Sequence, residues 1–154
     1  MSPKAVSAPR LPRLVLVGPT ATGKSAIALD LAEKIQVDEP ETRAEIINAD
    51  ASLLYQGMDI GTAKPSPAER SRTPHHQIDV LDVREDASVA AYQRRARAEL
   101  ESMEARCARA VIVGGPGLYV RAVTDALEFP GTDPVVRDAP KERARREGAH
   151  RLWE

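Results

Sequence analysis

The sequence predicts an α/β fold in which helices cover a central parallel sheet in three layers. Three observations carry this expectation. Strand-sized apolar runs end at a glycine or a polar residue, amphipathic helical segments lie between them, and a glycine-containing turn joins the first run to the first helix. The length of 154 residues suits one ordinary domain with one buried core. Hydrophobic residues at 42 % and charged residues at 29 % describe a globular chain, not a disordered one. With aromatic residues at only 3 %, the core has to be built mostly from Val, Ile, Leu and Ala.

The elements follow in order. Leu14-Val-Leu-Val17 is a short apolar run ending at Gly18, the pattern of a fully buried parallel strand. After Lys24, Ile27, Leu31 and Ile35 recur every four residues with Ala28 and Ala32 beside them, which predicts a helix packed on the sheet. Glu45 to Ala49 is a second strand, ending just before Asp50, and Gln77 to Val83 alternates well enough for a third. From Ser88 to Cys107 the residues Val89, Tyr92, Ala96, Leu100, Met103 and Cys107 fall at helical steps, with Ser88 or Asp86 as the cap. Ala110 to Val113 is another buried strand. Gly114-Gly-Pro-Gly117 then turns into a helix from Leu118 to about Leu127. Asp133 before Pro134 starts a last helix, which Pro140 is expected to interrupt after barely two turns.

Residues 1–12 hold three prolines and little apolar content, and read as an N-terminal arm without the apolar core of a signal peptide. Residues 13–137 read as the core, and 138–154 as a charged C-terminal segment. A net charge of −1 gives no compositional support for nucleic-acid binding, which local patches would have to supply. The clusters Arg94, Arg95, Arg97 and Arg143, Arg145, Arg146 read as solvated helix faces. Cys107 is the single cysteine, which excludes an internal disulfide and suits a reducing cytoplasm. No apolar run approaches a membrane span.

Gly18-Pro19-Thr20-Ala21-Thr22-Gly23-Lys24-Ser25 matches G-x-x-x-x-G-K-[ST] in full, in the strand-turn-helix context such a loop requires. This is a P-loop, and it makes the expected fold P-loop NTPase-like. The glycines let successive backbone N–H groups converge on phosphate oxygens. Lys24 adds a point charge, the Ser25 hydroxyl is a ligand for Mg²⁺, and the following helix aims its positive end at the same place. By itself the loop predicts a di- or triphosphate ligand such as a nucleotide. Most such proteins hold Mg²⁺ through an Asp at the end of a second strand, yet Ala110-Val-Ile-Val113 ends in Gly114-Gly115. The carboxylate at a strand end is Asp50. Ligands in an open parallel sheet sit beyond the carboxyl ends of the strands, so Asp50, Gly114 and the P-loop should converge. Asp50 is then a metal ligand, a general base or a simple turn cap.

The P-loop variant, the run Gly57-Met-Asp-Ile-Gly-Thr-Ala-Lys-Pro65, and His75-His76 leading to Ile78-Asp79 together resemble the tRNA dimethylallyltransferases. Gly114-Gly115, Gly117-Leu-Tyr119 and Phe129-Pro-Gly-Thr-Asp-Pro134 extend the resemblance, which runs from about Leu14 to Arg137. It implies transfer of a dimethylallyl group from dimethylallyl diphosphate to N6 of the adenosine beside the tRNA anticodon. The P-loop then cradles the leaving diphosphate and Mg²⁺ neutralises its charge. By motif match Asp50 is the base at the adenine N6, Asp50, Ala51, Ser52 and Leu53 line a flipped adenosine, and Arg137 faces the tRNA anticodon stem-loop. Pro116 occupies a catalytic position that is usually Thr or Ser. The resemblance further implies a cytoplasmic protein with no membrane partner, expected as a monomer.

Three features depart from the family's pattern. Ala51-Ser52-Leu53 stands where Ser, a variable residue and Gln are usual, and leucine offers a base no hydrogen-bonding amide. Pro116 brings neither a hydroxyl nor an N–H donor. The chain ends at Glu154, and the family's longer members lead one to expect 138–154 to begin a second half. Two alternatives therefore stand beside prenyl transfer: a small-molecule or nucleoside monophosphate kinase, and a diphosphate-binding module that transfers nothing. Lys64 is either a phosphate contact or a solvated lysine, Tyr55 lies under the adenine site or in the core, and the His pair reads as a loop contact more than a metal site.

Overall fold

A computed structural model describes residues 12–115, 117–131 and 133–153. Four strands form one parallel sheet: β1 (Leu14–Val17), β2 (Arg43–Ala49), β3 (His75–His76) and β4 (Ala108–Gly114), in the order β1-β4-β2-β3. Five helices accompany them: α1 (Lys24–Asp38), α2 (Pro67–Arg72), α3 (Val89–Ala105), α4 (Leu118–Thr124) and α5 (Pro134–Glu147). Pleating sends alternate residues of the central strands to opposite faces. Ala44, Ile46, Val111 and Val113 meet Ala28, Leu29, Ala32 and Ile35 of α1. Ile47, Ala49, Ala110 and Ile112 meet Tyr92, Ala96, Leu100 and Met103 of α3, and Val120 and Val123 of α4. The result is the three-layer α/β arrangement the sequence predicts.

Several expectations need correction. β1 is not fully buried. It pairs only with β4 and lies at the sheet edge, so Leu14 and Leu16 pack toward α1 while Val15 and Val17 are each 43 % exposed. On α1 the inward stripe is Ala28, Leu29, Ala32 and Ile35, and Ile27 lies outside it at 51 % exposure. The two fully buried alanines let the helix sit close to the strands. No strand spans Gln77 to Val83: Gln77 (φ 59°) and Asp79 (φ 57°) adopt left-handed backbone that an extended strand excludes, and the pairing with β2 is made one step earlier, by His75 and His76.

Another concerns α5, which continues through Pro140 to Glu147. Proline removes one N–H and orphans one carbonyl, which on a helix with no buried residue is left to water. The cap on Asp133 and pairs such as Lys141–Asp138 (2.8 Å) and Arg143–Glu147 (3.2 Å) support the two halves. The helix therefore spans position 137, where the core was expected to end. The expected helix after Gly117 is shorter than predicted, ending at Thr124, and Cys107 lies beyond the end of α3, exposed. Ser88 is the cap of α3, accepting from the Ala91 N–H at 3.4 Å. Except for Pro12, the N-terminal arm lies outside the described residues.

Candidate active site

The carboxyl ends of β1, β2 and β4 open on a cavity of about 590 Å³. Thr20 to Ser25 of the P-loop form one wall, and Asp50, Ser52 and Leu53 another. Gly114 and Gly115 line the β4 end, and Gly61 to Pro65 complete the lining. The convergence expected of Asp50, Gly114 and the P-loop is thus present. Ala51, Gly18 and Pro19 do not line the cavity, and Arg137 lies exposed on α5, away from it. Pro116 lies outside the described residues.

The P-loop is held by its own side chains. Thr22 Oγ1 donates to the Pro19 carbonyl at 2.8 Å, and Lys24 Nζ donates to the same oxygen. Gly23 (φ 79°) and Ala21 (φ 64°) both take left-handed backbone, which costs nothing at glycine and about 1–2 kcal/mol at alanine. Gly23 is the N-cap of α1 and makes no side-chain cap bond, so the first N–H groups of α1 are left for a ligand.

Asp50 caps the 3₁₀ turn Ala51–Leu53: its Oδ1 accepts from the Ser52 N–H at 2.9 Å and from Ser52 Oγ at 2.8 Å. The capping role is real, and it coexists with a place in the cavity wall. Gly114 is required for a different reason. A Cβ there would stand 2.6 Å from the Ala49 carbonyl oxygen and 2.9 Å from Val120 Cγ2, so only glycine lets β4 run this close to the strand that delivers Asp50.

Lys64 is neither a solvated lysine nor directed at the P-loop. Its side chain is 6 % exposed and donates to the Tyr55 carbonyl (2.6 Å), Asp59 (2.8 Å) and Asp79 (2.6 Å), while Asp79 also accepts from Arg70 (2.7 Å). Burial works against the lysine charge, but the hydrogen bonds of Asp59 and Asp79 outweigh it and leave the pKa raised. Burial likewise opposes the Asp79 charge, and Lys64 and Arg70 together leave its pKa lowered. This network fixes the Gly57–Pro65 segment as a wall. Tyr55 packs on the α3-side core, and its hydroxyl accepts from the Ala87 N–H at 3.1 Å.

The two histidines have separate partners. His75 Nδ1 bonds the Thr73 carbonyl at 2.7 Å, and burial holds its pKa below the ordinary value. His76 Nε2 meets Glu45 at 2.7 Å, and Arg106 closes on the same carboxylate at 2.6 Å. Arg97 also departs from a solvated face: it donates to the Ala122 (3.2 Å) and Asp125 (2.8 Å) carbonyls, closing the C-terminal end of α4.

The sequence reading missed Asn48, which is 5 % exposed and lines the cavity. Its signal was a lone amide interrupting the apolar run of β2 two residues before Asp50.

The family described as IPP transferase matches residues 53–154. The chain belongs to that family. Among curated relatives of this IPP transferase chain, the tRNA dimethylallyltransferase of Kocuria rhizophila is 50 % identical over 139 residues, 90 % of this chain and 42 % of that protein. That of Mycobacterium sp. (strain KMS) is 56 % identical over 124 residues, 80 % of this chain and 40 % of its own length. Among solved structures, the full-length tRNA isopentenylpyrophosphate transferase of Bacillus halodurans is similar with a TM-score of 0.64 and 35 % identity, covering 91 % of this chain and 45 % of that one. The fold shared with it is P-loop NTPase-like. The IPP transferase chain thus spans about two-fifths of the length of the curated relatives it matches.

Proposed function

We propose that this chain carries the diphosphate-binding and base-bearing part of a tRNA dimethylallyltransferase. It would act on dimethylallyl diphosphate and on N6 of the adenosine beside the anticodon. One observation carries the reading: the P-loop and Asp50 line the same cavity. An anion cradle and a carboxylate in one cavity suit a reaction in which one group must depart as an anion while another loses a proton.

In the proposed step the adenosine N6 attacks C1 of the dimethylallyl group, the C1–O bond breaks, and diphosphate leaves. The N6 proton passes to Asp50. The P-loop N–H groups and Lys24 hold the diphosphate in both states and gain most as its charge grows. Ser52 holds Asp50 Oδ1 from two directions and so orients the carboxylate. Leu53 gives the adenosine an apolar contact, so recognition of the base falls to other groups of the wall.

The donor set suits a Mg²⁺ ion shared with the ligand. Ser25 supplies a hydroxyl oxygen in the cavity wall, and among the described residues no three His, Cys, Asp or Glu side chains form a cage of their own. When bound there, Mg²⁺ supplies charge neutralisation at the leaving diphosphate. We assign the reaction to a cytoplasmic monomer; among the described residues no helix is long and apolar enough to cross a membrane.

The test is the mass of an unmodified anticodon stem-loop RNA incubated with the protein, dimethylallyl diphosphate and Mg²⁺. The expected result is one added prenyl mass. No product, together with tight ATP binding and phosphoryl transfer to a small acceptor, would overturn the reading in favour of a kinase. No product with retained binding of dimethylallyl diphosphate would leave a binding module.

A further inference from the structure

We infer that Asn48 is the positioning residue for Asp50, acting by locking its backbone and not by touching substrate; the inference rests on the reading of Asp50 as the base. The side chain of Asn48 grips both ends of the Asp50 residue. Its Oδ1 accepts from the Asp50 N–H at 2.9 Å, and its Nδ2 donates to the Asp50 carbonyl at 2.9 Å. The same Nδ2 donates to the Gln77 carbonyl at 2.9 Å. Two carbonyls face the nitrogen and one N–H faces the oxygen, so the orientation of the amide is unique.

Asn48 is itself held from behind. The hydroxyl of Tyr92, a residue with no exposed surface, donates to the Asn48 carbonyl at 2.8 Å. The Gln77 carbonyl is delivered by the left-handed turn that follows β3. Three elements (β2, the turn after β3, and α3) therefore meet at one residue, the first two at its side-chain amide and α3 at its backbone carbonyl. Asp50 sits at the junction in extended backbone (φ −118°, ψ 125°), with Oδ1 bound by Ser52 and Oδ2 outside these bonds.

The position asks for a reason to be polar. Asn48 shares its sheet face with Ile46 and Val113, where an amide is unfavourable unless every group is bonded, and an apolar residue would pack there without that demand. What an apolar residue would lose is the double hold on Asp50. Catalysis by a positioned base is sensitive to this: a displacement of about 1 Å lowers rates by about 100-fold.

The experiment is single-turnover prenyl transfer by Asn48→Ala, Asp50→Asn and the double variant. Asn48→Ala is expected to slow transfer by about 10- to 100-fold, with the dissociation constant for dimethylallyl diphosphate changed by less than about twofold. If Asn48 acts through Asp50, the double variant is no slower than Asp50→Asn alone; additive losses would overturn the inference. A slow Asp50→Asn beside an Asn48→Ala at the parental rate would overturn it too, while leaving the base assignment standing. An Asp50→Asn at the parental rate would overturn both.

Two further measurements stand apart from the turnover of Asn48→Ala. Amide hydrogen exchange in the Asn48→Ala chain is expected to quicken at Asp50 by about tenfold or more, with Ile46 and Ile47 unchanged. Unchanged exchange at Asp50 would contradict the lock. Tyr92→Phe conserves core volume and removes only the bond behind Asn48. It is expected to slow transfer by about two- to fivefold, a loss that vanishes when combined with Asp50→Asn; a loss that persists there would count against the inference.

Discussion

Lys24 rests its ammonium on the Pro19 carbonyl, inside the loop that it serves, so binding a diphosphate exchanges one weak acceptor for a charged one. Lys24→Ala should weaken dimethylallyl diphosphate by about 1.5–3 kcal/mol, read by titration calorimetry in Mg²⁺; unchanged affinity would refute the site. Gly114→Ala tests the other end of the cavity. The added Cβ has to push against the backbone of Ala49, so a stability loss of about 1–3 kcal/mol is expected in denaturant melts, together with a displaced Asp50. The placement of Lys24 and Asp50 at the cavity was legible because motif spacing and strand-end position fix where such residues lie. Lys64 was not, because its partners, Asp59 and Asp79, reach it only through the fold of the loop between them. Asn48 was overlooked for a related reason: an amide's value lies in its partners, and Gln77 and Tyr92 are distant in sequence.

Among the elements, the central strands and α3 were the most readable, since fully buried runs and a long helical period leave little choice. Errors gathered at edges and turns. The Gln77–Val83 alternation suits a strand locally, but two left-handed residues break it, and the segment serves the site by presenting the Gln77 carbonyl. Pro140 was a sound warning that lost to exposure, where an orphaned carbonyl is left to water. Between β2, β3 and the end of α3 lies a polar cluster that no pattern announced: buried Glu45 with half-buried His76 and exposed Arg106. Burial raises the pKa of Glu45, but Arg106 and His76 outweigh it, and the net shift is downward from 4.5. A carboxylate lowered in the folded state contributes stability above its unfolded pKa, and loses it as pH falls through the folded value. Glu45→Gln should therefore lower the melting temperature at neutral pH and flatten its fall below about pH 4.5. An acid limb identical to that of the parent would show that the cluster does not contribute.

At the scale of the whole molecule, the sheet divides most of the buried core from the cavity, with Tyr92 reaching Asn48 from the core side. The α3-side core carries the larger buried side chains, among them Tyr92, Leu100, Met103 and Ile112. The cavity opens on the α1 side, against Ala28, Leu29 and Ile46. Leu100→Ala should then cost about 2–5 kcal/mol in denaturant melts while leaving the diphosphate affinity of the folded protein unchanged; a parallel loss of affinity would show that the two faces are coupled. In the proposed reaction one cavity holds both the leaving group and the base. Asp50→Asn tests it most directly, with binding of dimethylallyl diphosphate and transfer to an anticodon stem-loop measured on the same preparation. The expected result is an unchanged dissociation constant with transfer slowed by about 100-fold or more. Transfer at the parental rate would contradict it.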